Sequence, residues 1–220
     1  MRFFAPHISL MTKTLRQERI SMLDVMRACG SGFRPLSAEV IRAEPLRYLA
    51  SELESLRGLA ALMERLADSL PDDVNRSEAA VGSALLHVMA AQSVAPVEDI
   101  LFPALERCLP EDAPARRAMA VARSEHETAT GAAIGLAEEL DTLSRVGRAR
   151  NPDALGFMLH AFFEGARRQA DWIEAAILTQ ARGALGPAET ALLGEQLAAH
   201  AVDQVAQRSN VLRMIGRERR

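Results

Sequence analysis

The chain has 220 residues, of which 49% are apolar, 25% charged and 4% aromatic, and a formal net charge of −3. That is enough apolar material for one large domain or a core with extensions, while the interspersed signs exclude a global attraction to nucleic acid or acidic lipid. Two cysteines, Cys29 and Cys108, exclude a disulfide framework and a CxxC metal knuckle, and no apolar run reaches the ~18 residues of a membrane span.

Ala and Leu dominate and β-branched alternation is absent, so the chain reads as all-α. Residues 1–43 form an extension in which residues 15–29, with Ile20, Leu23 and Met26 on one side, make a short amphipathic helix. Pro6 and His7 interrupt the only stretch that could serve as a secretory core, so export is not expected and a cytoplasmic location is. From Pro45 onward Leu46, Leu49, Leu53, Leu56, Ala60, Met63 and Ala67 recur at steps of three and four, which predicts helix one. Residues 68–73 break it.

Helix two is expected to begin at Ser77, without a full capping box, and to bury Val81, Ala84, Val88, Ala91 and Ala95. Pro96 removes a backbone donor and predicts a kink just before Glu98 and Asp99, and Pro103 costs a second helical hydrogen bond. Residues 109–114 turn into helix three, whose seam is Met119, Ala122, His126, Ala129, Ala133, Leu136 and Leu140. Pro152 opens helix four, with Leu155, Leu159, Phe162, Ala166, Ala170, Ile173 and Ile177 inward. Gly183 and Gly186 stop it, and a fifth helix follows Pro187.

Short links force consecutive helices to be neighbours, so the four seams predict an antiparallel up-down-up-down four-helix bundle over 44–183, followed by a C-terminal helix over 187–220. No phosphate-binding glycine loop, GxSxG elbow or HExxH zinc helix is present. Nucleophilic catalysis has no candidate, and the chain does not read as an enzyme.

The stretch Glu98-Asp99-Ile100-Leu101-Phe102-Pro103 resembles a metal-ligand helix of the hemerythrin-like (HHE) family, in which HxxxE or HxxEE precedes Leu-Phe-Pro. The resemblance extends over residues 45–196. Leu49-Ala50-Ser51-Glu52-Leu53 is similar to the family's first ligand helix, Ser124-Glu125-His126-Glu127 to the third, Ala170-Asp171-Trp172-Ile173-Glu174 to the fourth, and Leu185-Gly186-Pro187-Ala188-Glu189 to its closing element. It implies a non-haem di-iron site inside a four-helix bundle. Three imidazole positions, however, hold Leu53, Ala95 and Ala170, which leaves His126, Asp99, Glu174 and Glu98 as the metal candidates.

Two irons need several ligands on four helices, whereas this set could hold at most one ion, iron or another divalent cation, with water completing its shell. The three replacements complete apolar seams. Two readings follow: a bundle with a depleted site that serves as a regulatory or interaction module, with a protein partner or a second copy; or a metal protein that senses or handles oxygen, nitric oxide, peroxide or iron. In the metal-free case, His126 beside Asp99 or Glu174 is a hydrogen-bonded core cluster.

A second group is set by spacing. His160 precedes Glu174 by two heptads, His87 lies on the parallel second helix, and at 1.5 Å per residue both fall ~18–21 Å from the first group. Glu164 stands one turn after His160, and Glu64 with Glu138 or Glu139 would reach the same level. Both histidines are offset from their apolar seams, and Glu164 beside Arg167 and Arg168 reads equally as a solvated charge pair.

Overall fold

In the computed structural model every regular element among the described residues, 36–92 and 95–217, is helical, and the side chains of 89–95 and of 203 onward are not described. The expected helix over 15–29 lies outside these residues.

Helix α1 is Ala38–Ala43, started by Ser37, whose hydroxyl accepts from the Val40 amide at 3.3 Å. It falls within the stretch that the pattern left without a role, and its Ile41 is buried. Helix α2, Pro45–Asp68, has proline at its first position, where a missing amide costs nothing. Of the expected seam, Leu49, Leu53, Ala60 and Met63 are buried, joined by Leu59, Leu62 and Leu66.

Helix α3 is Arg76–Gln92, and its cap is Asn75 in place of Ser77: the Asn75 side-chain oxygen accepts from the amides of Ser77 at 3.1 Å and Glu78 at 3.2 Å. Its buried residues are Ala79, Val81, Gly82, Ser83 and Leu86; Val81 was expected inside, Ala84 and Val88, also expected there, are half-buried, and the Ala91 side chain lies outside the described residues. Ser83 is accommodated because its hydroxyl donates to the Ala137 carbonyl at 2.8 Å. A Cβ on Gly82 would come within 2.8 Å of the Met63 methyl group, so the glycine sits under a close helix approach.

Where a kink was expected, at Pro96, the chain is π-helical over Ala95–Leu101, and α4, Phe102–Cys108, follows. Pro103 has no amide to continue the hydrogen-bond ladder, and the register change falls beside it. Arg116 closes α4 by donating to the carbonyls of Glu106, Leu109 and Pro110, the last two at 2.9 Å. Helix α5, Pro114–Val146, ends at Gly147, whose φ of 80° is the left-handed cap that favours glycine. Arg76 donates to the carbonyls of Ser144 and Arg145 at 2.7 Å, satisfying the same helix end.

Helix α6, Pro152–Trp172, is capped by Asn151, which accepts from the Ala154 amide at 3.1 Å. All seven expected inner residues, from Leu155 to Ile177, are buried. A second π segment, Ile173–Leu178, leads to α7, Thr179–Ala184, and then to α8, Pro187–Arg217.

Side-chain pairs give the helix directions. Arg65 near the end of α2 meets Glu78 at the start of α3, and Arg76 at the start of α3 meets the end of α5. His126 and Gly135 on α5 meet Gln169 and Met158 on α6, in reversed order. Glu64 on α2 meets Arg167, and Arg57 meets Glu174 beyond the end of α6, again reversed. Each of these four pairings is antiparallel.

The apolar interior divides in two. One cluster joins the second half of α2, α3, the second half of α5 and α6 as far as Ala166. The other joins α1, the start of α2, the first π segment with α4, the start of α5, the end of α6, the second π segment, α7 and α8. Leu56 packs against both. Helix α8 lies against α1, α2 and the first π segment, and a Cβ on Gly194 would stand 2.5 Å from the Arg42 carbonyl oxygen. No described helix is long and apolar enough to cross a membrane.

Candidate functional site

Of the metal candidates, His126 sits where the two clusters meet, whereas Glu98, Asp99 and Glu174 lie on segments of the second cluster. Between buried Ala122 and Ala133 on α5, the core line passes through half-buried His126; between buried Ala166 and Ala170 on α6 it passes through half-buried Gln169. These two side chains face each other, with His126 Nδ1 3.3 Å from the Gln169 amide nitrogen. The contact is a hydrogen bond when Nδ1 is the unprotonated acceptor, which places the ring proton on Nε2. His126 Nε2 is buried and has no hydrogen-bond partner among the described residues. Burial holds the imidazole below its ordinary pKa, so the neutral ring is favoured.

The three carboxylates do not join it. Asp99 is exposed and Glu98 half-buried, both on the first π segment. Burial raises the Glu98 pKa first of all; Arg123 opposes that shift, and the charges of Asp99 and Glu127 add to it. Glu174, on the second π segment, accepts from Arg57 at 2.7 Å. Arg57 also donates to Asp171 at 2.8 Å and Glu54 at 2.6 Å, so one guanidinium gathers three acids from α2, α6 and the second π segment. Its burial disfavours the cation, but the hydrogen bonds that it donates to Asp171, Glu174 and Glu54 outweigh that and hold its pKa above the ordinary value.

At two positions where the family resemblance would put imidazoles, Leu53 and Ala170 are packed in the second cluster. The Ala95 side chain is outside the described residues. Among the described residues no group of three or more His, Cys, Asp or Glu side chains is placed to hold a metal ion. A di-iron centre therefore does not fit the donors described: a guanidinium occupies the carboxylate that would face the metal, and His126 stands with an amide.

The second group is likewise dispersed. His160 is exposed and meets the Phe163 ring edge-on at 4.8 Å. Glu164 lies 4.0 Å from Arg167, the i,i+3 charge pair that spacing offered, and Arg167 is bonded chiefly to Glu64. The hydrogen bond from Arg167 holds the Glu64 carboxyl below its ordinary range. His87 is half-buried, its pKa lowered by burial against the opposing charges of Asp141 and Glu138. Buried Asp141, which no pattern singled out, forms an ion pair with Arg145 at 2.7 Å. Burial raises its pKa, against the charges of Arg145 and His87.

Arg57 and Gln169 also escape a search for metal ligands. The available signal for Arg57 is its place one helical turn after Glu54; for Gln169, its place beside an otherwise unbroken apolar seam. Cys108 is a free, half-buried thiol at the end of α4. No protein-family model matches the chain, and no curated protein or solved structure is significantly similar to it.

Proposed function

We propose that this chain is a hemerythrin-like, up-down-up-down four-helix bundle with a depleted metal site, acting as a regulatory or protein-interaction module. Its four long segments are α2, α3 with the first π segment, α5, and α6 with the second π segment. The antiparallel pairings of α2 with α3, α3 with α5, α5 with α6 and α6 with α2 support this arrangement.

The observation that carries the loss of metal chemistry is the Arg57–Glu174 bond. A carboxylate that neutralises a guanidinium is a poor ligand for a divalent cation, because the two positive charges repel and compete for the same oxygens. Burial of Leu53 and Ala170 supports the same reading.

One observation favours the alternative of a reduced metal site used for sensing or handling oxygen, nitric oxide, peroxide or iron: the buried, unpartnered Nε2 of His126. Elemental analysis after reconstitution with Fe(II), Mn(II) or Zn(II), with melting curves, separates the two. A ligand that binds only the native state must stabilise it, so the module reading expects no retained metal and no change in melting temperature. About two irons per chain with a visible charge-transfer band would overturn it; one retained ion, lost in His126→Ala, would establish the alternative.

A further inference from the structure

We propose that the outer face of α5 and α6 pairs with the same face of a second copy of this chain, the two α5 helices running antiparallel about a two-fold axis. The inference goes beyond the module reading and does not depend on the state of the metal site.

Exposed apolar side chains are concentrated on this face. Of the seven large hydrophobic residues exposed among the described ones, four belong to it: Val121, Val146, Phe157 and Trp172, at 48%, 59%, 74% and 43% exposure. On α5, Val121, Thr128, Ala132, Gly135, Glu139 and Val146 follow one another along a single stripe, turned away from the buried line of Met119, Ala133 and Leu140. The face is also open. A Cβ placed on Gly131 or Gly165 meets nothing within 4 Å, whereas the gap between α2 and the first π segment is covered by α1 and α8.

The stripe suits a second copy because, reversed upon itself, it sets valine against valine at its ends and small against small residues at its centre. Its midpoint lies between Ala132 and Gly135, and Val121 and Val146 are equally far from it. An antiparallel copy thus sets Val121 opposite the partner's Val146, and Ala132 opposite the partner's Gly135. Glu125 falls opposite the partner's Thr142, and Glu139 opposite the partner's Thr128, so no two carboxylates meet. Small residues at the midpoint let the helix axes approach closely.

Helix α6 completes the match. The His126–Gln169 and Gly135–Met158 contacts fix its register against α5, placing Trp172 level with Val121 and Phe157 near the midpoint. Each end of the interface then gathers Val121, Trp172 and the partner's Val146, with Phe157 over the small central residues. Arg168 comes within a turn of the partner's Glu139, which supplies charge complementarity. Such self-complementarity is the property of an isologous interface, and a different partner would have no use for it.

Sedimentation velocity on the full chain tests this. At about 50 µM, where an interface of micromolar affinity is filled, the mass should be twice the 23.9 kDa of one chain. Gly135→Arg should give a monomer with an unchanged or higher melting temperature. Its Cβ meets only the Met158 methyl group, at 3.9 Å, and arginine is the better helix former. Arg168→Glu and Glu139→Arg should each weaken the dimer about tenfold, and together restore most of it. A monomeric wild-type protein, a Gly135→Arg dimer, a charge swap without rescue, or loss of the dimer only on Leu192→Arg in α8 would each overturn the proposal.

Discussion

Arg57 and Glu174 stand 2.7 Å apart, guanidinium to carboxylate, joining the middle of α2 to the second π segment. Only a quarter of the Arg57 side chain is exposed, whereas Asp171 and Glu54 are 71% and 60% exposed, so water screens two of its three partners strongly. Arg57→Met should therefore lower stability by about 1–2 kcal/mol, mostly through the Glu174 bond. Arg57→Lys should recover only part of this, because a point charge cannot fork among three acids. Urea denaturation of the three proteins measures it, and wild-type stability in Arg57→Met would show the contact to be decorative.

The stability of this protein should fall as pH drops below 6.5, the ordinary histidine value. His126 and His87 both have folded pKa values depressed by burial, so below 6.5 the unfolded chain takes up protons that the folded one refuses. Their contribution is complete above 6.5 and declines as the pH falls from there toward their folded values. Glu98 and Asp141 act with the opposite sign: their raised folded pKa values mean that acidification relieves a penalty present at neutrality. Melting midpoints from about pH 8 to about pH 5 should show the first effect, with a shallower slope in His126→Leu. An identical slope in the variant would assign it elsewhere.

Glu98→Gln should be slightly more stable than wild type at neutral pH, by no more than about 1 kcal/mol given its partial exposure. The sign follows from the raised folded pKa: the ionised carboxylate carries a burial penalty that a neutral amide avoids. The difference should vanish on acidification through the folded pKa toward 4.5, where the wild-type side chain becomes neutral as well. Chemical denaturation at two pH values checks both parts. A less stable variant at neutrality would mean that Arg123 outweighs burial.

Much of the helix pattern was legible in the residues. The α6 line from Leu155 to Ile177 is buried throughout, since large apolar residues at helical spacing leave little choice of face. The α3 line was legible only in part: Val81 is buried as expected, but Ala84 and Val88 are not, because the inner positions include Gly82 and Ser83, which carry no apolar side chain to mark them. Gly82 is inside because of the space available beneath Met63, and Ser83 because a carbonyl on another helix satisfies it; neither fact is local to α3. The same limit applies to the site. His126 could be placed on the inner line, but its pairing with Gln169, and that of Glu174 with Arg57, depends on which helices become neighbours and in what register.

The close seating of Gly194 on Arg42 has a kinetic consequence. Arg42 also bonds Glu195 at 2.9 Å, two residues 153 positions apart, so α1 and α8 meet only when nearly everything between them is in place. Loop-closure entropy penalises such a contact early in folding and assigns it to the far side of the barrier. A methyl group on Gly194 would then leave the folding rate nearly unchanged and speed unfolding, because it weakens a latch that closes last. The contact between the first and last described helices should thus act on the lifetime of the native state more than on the ease of reaching it.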